Sequence, residues 1–217
     1  GLGMYEPGVA IPQVAPDNHL AGREVAAYLW ERGHRRIAFV SGDSRHPMFV
    51  YRRQGIEAFL GCQDDADARL FTAERRQDNC KIGEPETSLP EMGDLVDQIL
   101  DRAAVNHPTA IIAANDWCAG GIYNALYDRG IRPGADVSVV GFDNSLQTAC
   151  SLRPPLSSYS IPIEQTAFIA ARTLLDWIEA GRCDETSSIH LVPGQLIERE
   201  SVTEPSVLAA ETCLAVT

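Results

Sequence analysis

Two apolar stretches of the sequence run directly into polar side chains of the kind that bind small ligands. The segment SVVGFDNS, residues 138–145, has the continuous apolar run of a strand buried on both faces and then delivers Asp143. The segment TAIIAANDWCAGG, residues 109–121, ends in the same way at Asn115 and Asp116. Carboxylates accept hydrogen bonds and an amide can both donate and accept, so these side chains could recognise the hydroxyl groups of a polar ligand.

The first 150 residues alternate predicted strands and helices, which favours an α/β fold with a parallel sheet covered by helices on both sides. The predicted elements are helix 18–32, strand 36–42, helix 48–61, strand 68–73, helix 89–105, strand 109–114, helix 117–130 and strand 137–142. The stretch 75–90 is predicted as a loop. In open sheets of this kind, ligands bind outside the carboxyl ends of the strands. We therefore expect Ser41, Asn115 and Asp143 at one edge, with Arg52 on the following helix beside them.

The pattern changes after residue 150. A Pro-led extended segment, RPPLSSYSI, is followed by a predicted amphipathic helix over 162–180 that ends at Gly181. The last predicted element is one strand in IHLVPGQLIERES, interrupted at Pro193-Gly194. Large apolar side chains lie along one stripe of the predicted helix, so we expect this stripe to need cover from another part of the protein.

Composition excludes several classes of function. The net charge of −12 is unfavourable for binding nucleic acid or an anionic membrane through this surface. No apolar run reaches the roughly 20 residues that span a bilayer, and the first residues lack the pattern of a secretory signal. The six cysteines have no CxxC spacing, which is typical of free thiols in the cytoplasm rather than of a metal site or a disulfide framework. We therefore expect a cytoplasmic location, no metal and no cofactor.

Structural roles and an enzymatic role are alternatives for the same residues. Asn115 and Asp116 could only cap a helix, Asp143 could form an Asx-turn, and Arg52 could be a surface charge. Gly42-Asp43-Ser44 follows a strand as in GDS-type serine hydrolases. Those enzymes place an Asp three residues before the catalytic His, and His190 has none, so we predict no catalytic residue.

Five segments in order resemble the effector-binding region of the lactose/galactose-repressor (LacI/GalR) family of bacterial transcription regulators. They are DNHLAGREVAAYLWERGHRRIAFVSG, YRRQGIEAFL, PTAIIAANDWCAGGIYNALYDRGIRPGADVSVVGFDNS, PPLSSYSIPI and LVPGQLIERES. The resemblance implies a periplasmic-binding-protein-like (type I) fold, of which this chain holds mostly the C-terminal lobe. It also implies that Arg52, Asn115, Asp143 and Ile163 contact a small effector, most often a sugar.

The same resemblance implies a division of the chain. Residues 1–14 would be a remnant of the N-terminal lobe, 15–160 the C-terminal lobe, 161–190 a crossover helix of the N-terminal lobe, 191–202 the final strand of the C-terminal lobe, and 203–217 a tail. The function implied is effector binding and dimerisation in a repressor-type regulator. Operator DNA would be contacted only by a headpiece outside these 217 residues.

The contacts of the expected homodimer and the alternatives to this function can also be stated from the sequence. Homodimer contacts are expected around 117–127 and 147–153, where Trp117, Cys118, Ile122 and Leu152 lie. The alternatives are a solute-binding protein of a sugar transporter with the same fold and, more remotely, the GDS-type hydrolase.

Overall fold

The computed structural model describes residues 12–75, 92–101, 107–181 and 188–205, and in them the predicted alternation of helices and strands is confirmed. The helices are α1 (Asn18–Glu31), α2 (Pro47–Leu60), α3 (Gly93–Asp101), α4 (Asp116–Tyr127), α5 (Leu146–Ala149) and α6 (Ile163–Ala180). The strands are β1 (Gln13–Pro16), β2 (Arg36–Ser41), β3 (Arg69–Glu74), β4 (Ala110–Ala113), β5 (Ser138–Phe142), β6 (Ser157–Ser160), β7 (Ile189–Val192) and β8 (Gln195–Ile197). The short helix α5 was not predicted.

The main sheet contains six strands in the order β3-β2-β4-β5-β6-β8. Strands β3 to β6 pair in parallel, and β8 runs antiparallel to β6. Every residue of β4 and β5 is buried, which explains their continuous apolar sequence. The predicted α/β fold with a mainly parallel sheet is therefore confirmed. In the described part of the chain, no helix is both long enough and apolar enough to cross a membrane.

The final predicted strand is two strands in two different sheets, so the prediction of one interrupted strand is wrong. Strand β7 pairs in parallel with β1 in a separate two-stranded sheet, whereas β8 joins β6. The chain changes sheets at Pro193-Gly194. A Cβ added at Gly194 would lie 2.2 Å from the Ser160 carbonyl oxygen. Only glycine, which has no Cβ, therefore allows the chain at residue 194 to come this close to the backbone of β6.

Two predicted features fall partly or wholly beyond the described residues. The predicted loop 75–90 lies there except for Arg75, and so do both ends of the predicted helix 89–105. The described part of that helix is Gly93–Asp101.

Helices α1 and α2 touch backbone to backbone, and this contact positions Arg52. A Cβ at Gly55 would lie 2.0 Å from the His19 carbonyl oxygen, and one at Gly22 would lie 2.0 Å from the carbonyl oxygen of Arg52 itself. The two glycines therefore let the helices pack at a distance that side chains would prevent. The result places the Arg52 side chain against the first turn of α1.

The long helix α6 leaves its apolar side uncovered, as its sequence predicted. Thr166 is the one side chain of this helix that is fully buried. Five of its large apolar side chains are each more than half exposed: Ile163, Phe168, Leu174, Leu175 and Ile178. Helix α6 packs against β1 of the two-stranded sheet, where β7 also exposes Ile189 and Leu191. We call the exposed apolar side chains of α6 the α6 face.

Candidate functional site

Arg52 is the centre of a buried polar cluster at the carboxyl edge of the main sheet. Its side chain is fully buried and donates three hydrogen bonds. Nε donates to Asn18 Oδ1 at 2.9 Å, Nη1 to the Ala114 carbonyl oxygen at 2.6 Å, and Nη2 to Asp143 Oδ1 at 3.0 Å. Burial lowers the pKa of the guanidinium, and the charge of Asp143 opposes that effect. Arg52 thus ties α1, the end of β4 and the end of β5 together.

Asp143 is held by the same ion pair in an unusual backbone conformation. Its φ is 95° and that of Asn144 is 49°, both in the region that favours glycine. Such conformations cost on the order of 1–3 kcal/mol per residue and persist where surrounding contacts impose them. The Asp143 side chain is nevertheless 42% exposed, so one carboxylate oxygen is tied to Arg52 while the group still faces solvent. That arrangement suits a carboxylate that binds a ligand.

Asp143 opens onto a cleft of about 660 Å³. The cleft lies where the end of β5, the start of α6 and the crossing between β7 and β8 meet. It is lined by Asp143, Ser160, Ile161, Pro162, Ile163, Glu164, Gln165, Pro193, Gly194 and Gln195. Two of the four predicted ligand residues, Asp143 and Ile163, therefore line one cavity. Arg52 lies behind Asp143, and Asn115 is not among the lining residues.

Asn115 caps a helix and Asp116 does not, so capping is wrong for Asp116, and capping as the only role of Asn115 stays a prediction. Asn115 Oδ1 accepts the backbone N–H of Cys118 at 2.8 Å and so caps α4. Its amide nitrogen has no hydrogen-bond partner among the described residues and could still donate to a ligand. Asp116 is buried, and its two oxygens accept from Ser158 Oγ and from the backbone N–H of Ser145, each at 2.7 Å.

His46 belongs to this edge of the sheet and was not predicted from the sequence. It is the N-cap residue of α2, and its ring stacks on Phe49 with 4.4 Å between centroids. Its Nδ1 is buried and has no hydrogen-bond partner in the described part of the chain. Burial lowers the pKa of His46, and the charges of Arg52 and Asp143 reach its ring. Its position before Pro47, six residues ahead of Arg52, was the available signal.

The alternatives that need other chemistry gain no support from the geometry. Among residues 12–75, 92–101, 107–181 and 188–205, no hydrogen bond joins Ser44 to a histidine, and Ser44 N instead donates to the Arg75 carbonyl oxygen. The described residues also contain no group of three or more His, Cys, Asp or Glu side chains that could hold a metal ion. Neither a serine nucleophile with its base nor a metal site is formed there.

The residues used to predict a dimer surface divide into two kinds. Cys118 and Ile122 are buried in the core of their own chain, so they cannot contribute to an interface. Trp117 and Leu152 are partly buried, and Leu152 packs against that core. Exposed apolar area in this region comes instead from Tyr127 and Leu146, which are 47% and 67% exposed.

Comparison with known proteins places this geometry in a family. Residues 26–202 match the model of the periplasmic binding protein-like domain. The HTH-type transcriptional repressor CytR of Escherichia coli is 28% identical over 177 residues, which are 81% of this chain and 48% of that protein. The HTH-type transcriptional repressor PurR of Serratia proteamaculans is 32% identical over 94% of this chain and 60% of its own length. The chain thus spans about half to three-fifths of these curated relatives.

Solved structures agree on the fold. A LacI transcriptional regulator from Bacillus cereus subsp. cytotoxis has a TM-score of 0.75 and 29% identity, over 94% of this chain and 67% of that one. A LacI family regulator from Enterococcus faecium with bound ribose has a TM-score of 0.74 and 23% identity, over 94% and 70%. A dimeric Lac repressor with a C-terminal deletion has a TM-score of 0.73 and 24% identity, over 94% and 68%.

Proposed function

The chain belongs to the periplasmic-binding-protein-like domains of the LacI/GalR family, and we propose on this premise that it binds a small effector for a transcriptional repressor. The effector would occupy the cleft in front of Asp143. One observation carries the proposal: a carboxylate held by a buried arginine in a strained backbone conformation remains 42% exposed at a cleft of about 660 Å³. Such strain collects at binding sites, where it holds a group ready for its ligand.

The charges of the site favour a neutral, polyhydroxylated effector such as a sugar. The positive charge of Arg52 is balanced by the negative charge of Asp143, so the pair has no net charge. The Arg52 side chain itself is fully buried. The free positions of Asp143 accept hydrogen bonds from hydroxyl groups. Glu164 adds a second carboxylate to the cleft lining, which opposes an anionic ligand. Asn115 and His46 supply an amide and an imidazole nitrogen near the same edge, and Ile163 supplies an apolar wall.

A thermal-shift and calorimetric screen tests the proposal. The probes are ribose, galactose, ribonucleosides and free nucleobases at up to millimolar concentration. We expect at least one hydroxylated probe to raise the melting temperature of the chain. Asp143→Asn should remove that rise and weaken binding more than tenfold, because a charge-assisted hydrogen bond contributes about 1.5–3 kcal/mol.

The matched control for this variant is Asp136→Asn. Asp136 also forms an ion pair with an arginine, Arg132, at 2.7 Å, and it does not line the cleft. The control should bind the probe as the wild type does. A probe that stabilises the Asp143→Asn variant as strongly as the wild type would contradict the assignment of this cleft.

The regulatory part of the proposal concerns the whole protein, of which this chain is the effector-binding part. The relatives named above are repressors, which favours a regulator over a transporter's solute-binding protein of the same fold. We also propose a cytoplasmic homodimer, and the lobe division 15–160, 161–190 and 191–202, as parts of this function. Operator binding would require a DNA-binding segment outside the 217 residues. Sequencing the coding region upstream tests this, because a helix-turn-helix supports a regulator and a signal peptide supports a transport protein.

A further inference from the structure

Asp116 holds a position at the site that neither helix capping nor contact with the cleft explains. It is 1% exposed, and its carboxyl group lies next to the backbone of β5 at Gly141. A Cβ at Gly141 would come within 2.2 Å of Asp116 Oδ1, so glycine is required at that point of the strand. The Asp116 carboxyl group therefore packs against β5, close to the residues that follow this strand.

Asp116 and β6 together hold every backbone amide of the turn formed by Asp143, Asn144 and Ser145. Asp143 N donates to the Tyr159 carbonyl oxygen at 2.9 Å. Asn144 N donates to Ser158 Oγ at 3.0 Å, and Ser145 N donates to Asp116 Oδ2 at 2.7 Å. The Ser158 hydroxyl in turn donates to Asp116 Oδ1 at 2.7 Å, which joins these contacts into one hydrogen-bond network.

This hydrogen-bond network directly supports the strained backbone of Asp143 and Asn144. Asp143 and Asn144 both have positive φ, and neither is a glycine. Arg199 adds one contact from the other side, since its Nη2 donates to Asn144 Oδ1 at 2.6 Å. If the Asp116 carboxyl group were removed, the Ser145 N–H would have no acceptor and the Ser158 hydroxyl would be free to rotate away. The strain at Asp143 would then relax.

We propose that Asp116 is a positioning residue for the effector site, which holds the turn of Asp143, Asn144 and Ser145 in the conformation that presents Asp143 to Arg52 and the cleft. Its action is indirect, through the Ser145 amide and the Ser158 hydroxyl. The role in ligand binding rests on the proposed function of Asp143, whereas the role in holding the turn does not.

The charges around Asp116 make this support depend on pH. Burial raises the pKa of Asp116 to about 7, the bonds from Ser158 and Ser145 lower it, Asp143 raises it and Arg199 lowers it. Arg52, on α2, is also within electrostatic reach. An opened turn would expose the carboxyl group to water, where its pKa is ordinary. Closing the turn therefore favours the protonated form, so the turn should be held best below about pH 4, loosen as pH rises from about 4 to about 7, and change little above that.

The neutral form can make the same two contacts. A protonated Oδ1 donates to Ser158 Oγ, and Oδ2 still accepts from the Ser145 N–H. An asparagine would do the same with its amide group and would not titrate. Asp116→Asn is therefore the conservative variant, and Asp116→Ala removes both contacts.

Amide hydrogen exchange in the ligand-free chain, followed by NMR between pH 5 and 8, tests the positioning role. The readout is the protection factor of the Asn144 and Ser145 amides, corrected for the intrinsic exchange rate at each pH. We expect the wild type to lose protection as pH rises from 5 to about 7 and to change little above that, and Asp116→Asn to keep its protection at all pH values. Asp116→Ala and Ser158→Ala should lower it by about tenfold or more. Ser158→Ala keeps the proposal testable if Asp116→Ala does not fold.

Calorimetric titration of the probe found for the wild type, with ribose as the first one, adds the functional readout. Affinity should fall as pH rises from 5 to about 7 in the wild type, level off above that, and be independent of pH in Asp116→Asn. If the wild type binds none of the probes, the proposed effector class fails and the exchange data still decide the positioning role. If protection of Asn144 and Ser145 is the same in all variants, the positioning role is overturned whatever the chain binds.

Discussion

Arg52 Nη2 donates to Asp143 Oδ1 at 3.0 Å, which joins a fully buried guanidinium to a carboxylate that is 42% exposed. The two residues are far apart in sequence and come from α2 and from the end of β5. The guanidinium also stacks over the Phe142 ring, 4.5 Å from its centroid. The ion pair therefore belongs both to the core and to the proposed binding site, so changing either residue should affect stability and binding to different degrees.

Replacing the arginine should mainly affect stability. Arg52→Met leaves the oxygens of Asn18, Ala114 and Asp143 without their donor, so we expect a loss of about 3–5 kcal/mol in the free energy of unfolding. The measurement is urea unfolding followed by circular dichroism. Arg172, paired with Asp176 on the exposed side of α6, provides the control. Arg172→Met should cost less than about 1 kcal/mol. Equal losses in the free energy of unfolding for the two variants would contradict a special role for Arg52 in the stability of the core.

Asp116 should give the chain a measurable dependence of stability on pH. Its pKa in the folded state, about 7, lies above the ordinary 3.8, so the folded chain binds the proton more tightly than the unfolded chain. Its contribution to the free energy of unfolding is complete below about pH 4 and is lost as pH rises to about 7. Asp116→Asn should therefore gain stability relative to the wild type over this range, by up to about 4 kcal/mol.

The control for the pH series is Asp136→Asn. The ion pair with Arg132 holds the pKa of Asp136 below its usual value, so its contribution changes only in more acidic solution. Unfolding free energies measured between pH 5 and 8 should therefore run parallel for this variant and the wild type. A parallel curve for Asp116→Asn as well would show that burial does not perturb Asp116.

The proposed homodimer should depend on Leu146 and Tyr127, which are the exposed apolar side chains at the ends of α5 and α4. Leu146→Glu combined with Tyr127→Glu would place charges in an apolar contact, so we expect the dimer to dissociate to a monomer at micromolar concentration. Multi-angle light scattering measures the mass directly. Gln54→Glu with Gln98→Glu adds the same charge to exposed positions on α2 and α3 and should leave the mass unchanged. A wild type that is monomeric throughout would contradict the dimer.

The uncovered α6 face should limit the solubility of this chain. Exposed contiguous apolar patches promote association, and each large side chain in water forfeits about 1.5–3 kcal/mol of burial. Phe168→Glu with Ile178→Glu should raise the concentration at which the chain precipitates, at constant pH and salt. The Gln54→Glu, Gln98→Glu variant separates this effect from that of net charge. Equal solubility of the two variants would mean that the α6 face does not drive association.

Local pattern was enough to predict the sheet and the edge at which the polar residues meet. The buried strands β4 and β5 are continuous apolar runs, and a parallel sheet brings their carboxyl ends to one edge whatever the detailed packing. The appearance of Asp143 at that edge follows from its place after β5. The length and the exposed stripe of α6 were predictable for the same reason, since helical periodicity is a property of neighbouring residues.

Tertiary structure decided how each polar residue is used. Arg52, for which the sequence allows a surface position, is fully buried because Gly22 and Gly55 let α1 and α2 touch. Asp116 looked like a cap beside Asn115, and only contact with Ser158, 42 residues later, showed that it supports the turn at Asp143 instead. The division of the last strand between two sheets at Gly194 depends on the backbone of Ser160. These outcomes arise from contacts between residues distant in the chain, and such contacts leave no local pattern to read.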